Sequence, residues 1–430
     1  MTVRAVTRSN AEATLAKQFE TQSELAPSPP RAAAFRRFAE KGLPTRRVES
    51  WHYTDLRATM TDAAPLAPAP DPAAIAAARA VLAGRNRIGI ARLVTLNGRF
   101  VAELSDALPA GAAVARRETH GSGVQDPMVA LVEAMSLGGF AVEVARDAEL
   151  AGPIEIVHVA SGEGAYSFYS WLEIALGAGG RASVFEQFIG AGPAAQRHAA
   201  TTLTLAAGAR LKHAVSVEDE AELHLESQIV DLAENAELNG FAMVAGGALT
   251  RRQIFGRLTG KQAKIALGGL ALLDGSRRAD TTLQVVHSAP AGTSREFFRA
   301  IVDDEAAGTF QGKVIVANGV QKSDGAMKSQ AVLLSPKAQM NAKPELEIFA
   351  DDVICGHGAT VGSLDPEQIF YMRARGVPKN EAEAMLLEAF GQEAIDRVED
   401  ETLAEALGGP LRAWLAGRCD GGAAKMEARA

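Results

Sequence analysis

The chain has 430 residues, of which 47% are hydrophobic, 22% charged and only 5% aromatic, with a formal net charge of −8. That length allows a large core, built here mainly from Ala, Val, Leu and Ile, while the acidic balance argues against a nucleic-acid partner. Two cysteines, Cys355 and Cys419, exclude a disulfide scaffold and cannot form a four-thiolate metal site within one chain.

The first twenty residues hold no apolar run of the signal-peptide type, and no segment approaches the ~20 apolar residues that span a bilayer. This predicts a soluble, cytoplasmic chain without a membrane partner. Residues 10–60 read as helical, because Leu15 and Phe19, then Phe35 and Phe38, recur at helical spacing. Pro27, Pro29 and Pro30 split that region into two pieces. Residues 64–72 (APLAPAPDP) read as a stiff linker. Asp71 and Pro72 then supply the N-cap and first position of a helix running to Leu82. From Ile88 the pattern turns to short apolar runs, with Asn97-Gly98 as a hairpin turn. One helix, near Pro127 to Leu137, interrupts them.

Residues 140–350 carry an internal repeat. Ala182, Ala209, Ala236 and Ala263 stand 27 residues apart, and Val184, Leu211, Leu238 and Ile265 follow two places on. Leu176, Leu205, Leu232 and Leu258 precede them, separated by turn-like residues. A small residue at a fixed corner, then an apolar one pointing inward, is what a stacked coil requires. Segments such as TTLTL, KVIVAN and LEIFA are strand-like, so the repeat predicts a mainly β fold, a parallel β-helix flanked by helical regions. The repeat is clear over 176–265 and loosens after residue 270, where Ala338 with Met340 reads as a later copy. The division that follows is 1–87, N-terminal helical region; 88–363, β-helix core; 364–430, C-terminal helical region.

Helix signals return at Asp365-Pro366-Glu367-Gln368 and again at Asn380 with Glu383. Met385, Leu386, Ala389 and Phe390 form an apolar stripe, a third helix spans Leu403 to Leu415, and the last dozen residues read as a frayed tail holding Cys419.

No Walker loop is present, since GRLTGKQ (256–262) has the wrong spacing, and there is no GxSxG, HExxH or CxxC. The chain therefore binds no nucleotide by that route and reads as a non-enzyme. The segment with chemistry is Asp351–Thr360, where Cys355 and His357 are two apart and share one face of an extended strand. Thiolate plus imidazole suits iron, an iron–sulfur cluster or zinc, with further ligands supplied from elsewhere. A buried thiol and a hydrogen-bonded His at a Gly-rich turn is the other reading. His287 reads as structural at a strand end, and His213 and His224 as corner residues facing solvent or bonding backbone. Glu49–Asp55 reads as packing of the N-terminal region on the solenoid. A carbohydrate-active β-helix enzyme would need paired carboxylates across a cleft. Asp303-Asp304 and Asp351-Asp352 would point to opposite faces of a strand.

Three segments together resemble the SufB/SufD family of the SUF iron–sulfur cluster assembly scaffold: RRVESWHYTDL (46–56), HSAPAGTSREFFR (287–299) and KPELEIFADDVICGHGATVGSLDPEQIFYMRARGV (343–377). His357-Gly358-Ala359-Thr360, and the scarcity of cysteine, place the resemblance on the SufD-type branch. It implies a right-handed β-helix with terminal helices, a SufB-like partner and a SufC-like ATPase, with a homodimer possible when the chain is alone. It also implies a transient Fe–S cluster or iron at the partner interface, at His357 with Cys355 beside it. The ATPase contact maps onto Pro366, Phe370, Tyr371, Arg373, Arg375, Gly376 and Phe390. Flavin is associated with the family's complexes, but no flavin motif is visible here. A purely structural interaction subunit, or a SufB-like paralogue, is the alternative.

Overall fold

The computed structural model describes residues 8–24, 28–117, 122–161 and 164–418, and the backbone of Leu25 and of 419–427. Strands dominate. From Phe140 onward the chain crosses at each corner between two stacked parallel sheets, making a β-solenoid of about eight turns. One sheet holds Ile154–Val159, Arg181–Ile189, Arg210–Val217, Glu237–Val244, Lys264–Leu273, Thr293–Val302, Asp324–Leu333 and Ile354–Gly362. The other holds Phe140–Val144, Ser167–Leu176, Gln196–Leu205, Leu223–Leu232, Leu249–Leu258, Arg278–His287, Ala307–Val316 and Gln339–Ile348. Most central strands are buried on both faces, which is why they read as near-continuous apolar runs.

The first turns are closed by antiparallel strands. Ala91–Leu96 folds back on Arg99–Phe100 through Asn97 (φ 52) and Gly98 (φ 80), the turn foreseen from the sequence. At the other end Gln339–Ile348 and Ile354–Gly362 form the last coil and pair on one side only.

Side-chain ladders fill the interior. Leu176, Leu205, Leu232 and Leu258 stack in register, as the repeat implies. Burying each is worth about 1.5–3 kcal/mol. Ala209, Ala236 and Ala263 precede paired strands and are fully buried at equivalent corners. The register differs at two places. Ala182 pairs with Leu211 and Val184 with His213, because that coil is longer and Gly180 takes the corner. Ala338 adjoins the second sheet beside Ala306, so it is not a copy of the Ala263 corner. The repeat loosens after residue 270 because Lys264 pairs with Thr293, and Thr293 with Asp324. Those steps lengthen the loops and leave the strands intact.

The N-terminal region comprises α1 (Asn10–Leu25), α2 (Pro29–Lys41), α3 (Leu56–Thr59) and α4 (Pro72–Ala83). Phe19 stacks on Phe35 at 4.2 Å between α1 and α2. The stretch between α2 and α3 is less helical than expected. Only Glu49–Trp51 forms a 3₁₀ turn there, and it packs as foreseen. Trp51 is fully buried beneath Arg251 (3.8 Å to the ring), and its Nε1–H donates to Asp126. The Pro-rich stretch is not a free linker. Leu66 bridges to Ser167, and Pro65 and Ala67 bond the backbone of Ser167. Helix α5 (Pro127–Met135) is capped by Asp126 and wholly buried between α2 and the solenoid.

Three helices follow the last strand: α6 (Pro366–Arg373), α7 (Lys379–Ile395) and α8 (Glu401–Glu427). The buried face of α7 is Ala382, Leu387, Gly391, Ala394 and Ile395, not the Met385–Phe390 stripe. A Cβ on Gly391 would lie 2.9 Å from Leu411 and 3.2 Å from Leu270. That close approach sets which face of α7 turns inward. Helix α8 continues past Leu415 to Glu427 where a frayed tail was expected, and the Cys419 side chain lies outside the described residues. No described helix is long and apolar enough to cross a membrane.

Candidate functional site at the open end of the solenoid

Cys355 pairs with Gly325 and His357 with Met327, so both side chains lie on one face of Ile354–Gly362, as their spacing predicts. That face continues the solenoid interior. On the last coil it has no further strand above it, which leaves Cys355 half-buried and His357 exposed. Burial raises the Cys355 thiol above its ordinary range. The carboxylates of Asp324 and Glu296 add to this, and a hydrogen bond with the Gly325 backbone opposes it. Among the described residues, no group of three or more His, Cys, Asp or Glu is placed to hold a metal.

Beneath Cys355 the ladder runs through Gly325 to Ser294, and beneath His357 through Met327 to Glu296. A Cβ on Gly325 would lie 3.3 Å from Ser294 Oγ and 3.5 Å from Cys355 Sγ, so the glycine keeps the space between them open. Both Glu296 carboxyl oxygens and Ser294 Oγ are buried without a partner, and burial pushes the Glu296 carboxyl up to about 8. Reading the sequence did not single out Ser294 or Glu296. They stand in the segment HSAPAGTSREFFR, which was noted only as a block.

His287 closes the Leu176–Leu258 ladder, pairing with Leu258 on one side and Val316 on the other. It is fully buried and neither ring nitrogen has a partner. Burial drives it down to about 4 against the opposing pull of Asp324.

Asp303-Asp304 and Asp351-Asp352 lie in turns rather than on strands. Asp303 pairs with Arg418 and Asp352 with Lys322.

His213 and His224 do not face solvent. Both are buried inside the middle coils. Glu186 accepts from His158 Nε2 (2.9 Å), His213 Nε2 (3.0 Å) and Thr201 Oγ1 (3.1 Å). Gln228 donates to His213 Nδ1 at 2.9 Å, which fixes the tautomer that donates to Glu186. Next to this set Arg197 pairs with Asp219 at 2.7 Å and Arg252 grips Glu226 in a fork at 2.8 and 2.9 Å. His224 lies between Asp219 (3.7 Å) and Glu226 (3.9 Å). Burial opposes its protonation, but the two carboxylates prevail and raise its pKa. Arg197 and Arg252 offset Asp219 and Glu226, and Glu186 is held by its three donors. Strand alternation places these residues inward, but a sequence without the register cannot show that they meet.

Helix α6 buries none of its residues. Asp365 caps it by accepting from the Glu367 N–H, and Pro366 takes its first position. Phe370 is 75% exposed and Tyr371 58%, with the Arg375 guanidinium over the Tyr371 ring and Gly376 (φ 89) ending the turn after the helix. Arg373 completes the last turn of α6. Phe390 is the member of the set that turns inward. It lies under Arg299 (4.2 Å to the ring), which also bonds the Phe390 carbonyl and Glu393.

A two-sheet solenoid with an open, cysteine- and histidine-bearing last coil defines a class, and comparison with known proteins identifies it. Residues 158–390 match the family described as "SUF system FeS cluster assembly, SufBD core domain". The chain belongs to this SufB/SufD family. Within it the chain is SufD-like: it is 31% identical to the iron–sulfur cluster assembly protein SufD of Escherichia coli, over 84% of this chain and 87% of that one. It is also 34% identical to SufD of Bacillus subtilis, over 27% of this chain and 26% of that one. A SufBD family protein of Mycobacterium tuberculosis is 26% identical over 62% of this chain and 68% of its own. The chain thus has a role in SUF iron–sulfur cluster assembly.

Proposed function

We propose that the chain is one half of a paired, cytoplasmic cluster-assembly scaffold, without catalysis of its own. It joins a SufB-like chain at the open end of its solenoid, and iron and sulfur gather there as cargo. Cys355 and His357 contribute part of the ligand set, and the partner supplies the rest. The carrying observation is the last coil: a soft and an imidazole donor on one face of an edge strand paired on one side only, flanked by exposed Phe349, Ile354 and Val361. Exposed edge and apolar residues together mark a surface that pairs with another chain.

The ATPase contact is on α6 and the loop after it. Phe370 and Tyr371 are large, exposed and not required by the fold, which is the composition of an interface anchor. Helix α7 rests on the strands Lys264–Leu273 and Thr293–Val302, so movement of the ATPase reaches the solenoid as a rigid-body displacement. Nucleotide is bound by the ATPase and not by this chain.

Replacing His357 by Ala is expected to leave the three-component complex intact on size exclusion and to lower cluster formation in cells several-fold. Undiminished cluster output would assign Cys355 and His357 to the purely structural alternative. Phe370→Ser with Tyr371→Ser is expected to lose the ATPase while retaining the SufB-like partner, checked by co-purification.

A further inference from the structure

The seam between the N-terminal helices and the solenoid holds a small, partly open pocket of about 20 Å³. One water needs about 10–15 Å³ on this measure, so the space takes slightly more than a single water. Its polar walls are Gln22, Asn97, Arg99, Ser167 and Tyr169, and Leu66, Ala67, Met135 and Leu137 form the apolar side. No Asp or Glu is among the described lining residues.

Arg99 is half-buried, and burial alone lowers its pKa, with no carboxylate acting on it. Among the described residues it has neither an ion-pair nor a hydrogen-bond partner. Its stem is fixed in place: a Cβ on Gly138 would stand 3.0–3.2 Å from Arg99 Cα, Cβ and Cγ. A Cβ on Gly98 would stand 2.5 Å from the Tyr169 carbonyl oxygen, so the turn that carries Arg99 is seated directly on the Tyr169 backbone.

Tyr169 is 6% exposed and its ring stacks on His198 at 4.7 Å. Its hydroxyl is buried without a partner. Burial raises the phenol well above its ordinary range against the opposing pull of the neighbouring Ser167 hydroxyl, so the hydroxyl stays protonated and is available as a donor. The nearby Ser167 hydroxyl donates to the Ala64 carbonyl at 2.9 Å. A half-buried guanidinium without a partner and an orphaned buried hydroxyl line the same pocket, and a negative group bound there would satisfy both.

We propose that this cavity binds one compact anion, held by the Arg99 guanidinium and the Tyr169 hydroxyl at the joint between the N-terminal helices and the solenoid. Its size favours a free inorganic ion over the phosphoryl group of a larger molecule. The bound charge ties the Asn97–Gly98 turn to Ser167–Leu176 and to the helices above.

The test uses the full chain, with thermal unfolding followed at constant ionic strength while gluconate is replaced by chloride or by phosphate. A ligand that binds only the folded state raises the midpoint in a saturable way. The expected result is such a rise with chloride or phosphate, abolished in Arg99→Gln and shifted at least several-fold to higher concentration in Tyr169→Phe. Crystals grown in bromide are expected to show an anomalous peak within hydrogen-bond reach of both residues, which decides the matter if Arg99→Gln does not fold. An equal rise in Arg99→Gln, no rise in the parent protein, or bromide absent from the cavity would overturn the proposal.

Discussion

His287 occupies a position that is Leu in the four turns from Leu176 to Leu258, yet it has no partner for either ring nitrogen. Its folded pKa is about 4 against 6.5 unfolded. Between those values the unfolded chain binds more protons, so this group costs stability as pH falls from 6.5 toward 4. His287→Leu is expected to raise stability to urea by roughly 1–3 kcal/mol and to flatten the pH dependence across that window. Urea midpoints measured at intervals through the window check both. His224 has the opposite sign. Its folded pKa is raised, so its contribution is complete below pH 6.5 and is lost as pH rises through the folded value. His224→Gln is expected to destabilise most at and below pH 6.5, with the gap from the parent protein closing at higher pH in the same titration. Sequence position places His287 correctly as a structural residue at a strand end, but shows neither its lack of partners nor the burial of His224. Both were placed by the register of the coils, which depends on loop lengths that vary along the chain.

At the scale of the element, the β-helix was legible because a small corner residue, preceded by a leucine and followed two places on by an apolar residue, recurs for a steric reason. The helices starting at Pro72 and Pro366 were legible because Asp71 and Asp365 each cap a following proline at the first helical position. What misled was a constant period. The coil from Arg181 to Arg210 is two residues longer than the one from Arg210 to Glu237, so Ala182 falls beside Leu211 instead of at the corner. This gives a direct check. Ala236→Leu overpacks a fully buried corner and is expected to cost about 1–3 kcal/mol. Ala182→Leu extends the apolar ladder of Leu211, Leu238 and Ile265 and is expected to be close to neutral. Equal costs in urea unfolding would restore the constant-period register. The site was half legible in the same way. Alternation put Cys355 and His357 on one face, but Glu296 and Ser294 lie in other coils, and only strand pairing brings them beneath it.

For the whole molecule, the asymmetry of the two ends carries the functional argument. The first turns are closed by antiparallel strands and covered by α1, α2 and α5 against the second sheet, while α7 and α8 cover the first sheet. The last coil keeps a free edge, and its Ile354 is 75% exposed. Natural sheets blunt such an edge with lysine or cover it. Here it carries Ile354 and Val361, and the cluster donors share the strand. If the edge is the pairing surface, charge placed there acts on assembly and not on folding. Ile354→Lys with Val361→Lys is expected to leave the melting transition within about 0.5 kcal/mol of the parent, because both side chains are already exposed. The same variant is expected to weaken co-assembly with a SufB-like chain at least ten-fold and to abolish any self-association of the isolated chain. Sedimentation velocity over a concentration series, run with and without the partner, reads both effects. Wild-type assembly by the charged variant would move the pairing surface away from the last coil, and with it the reason for placing cargo at Cys355 and His357.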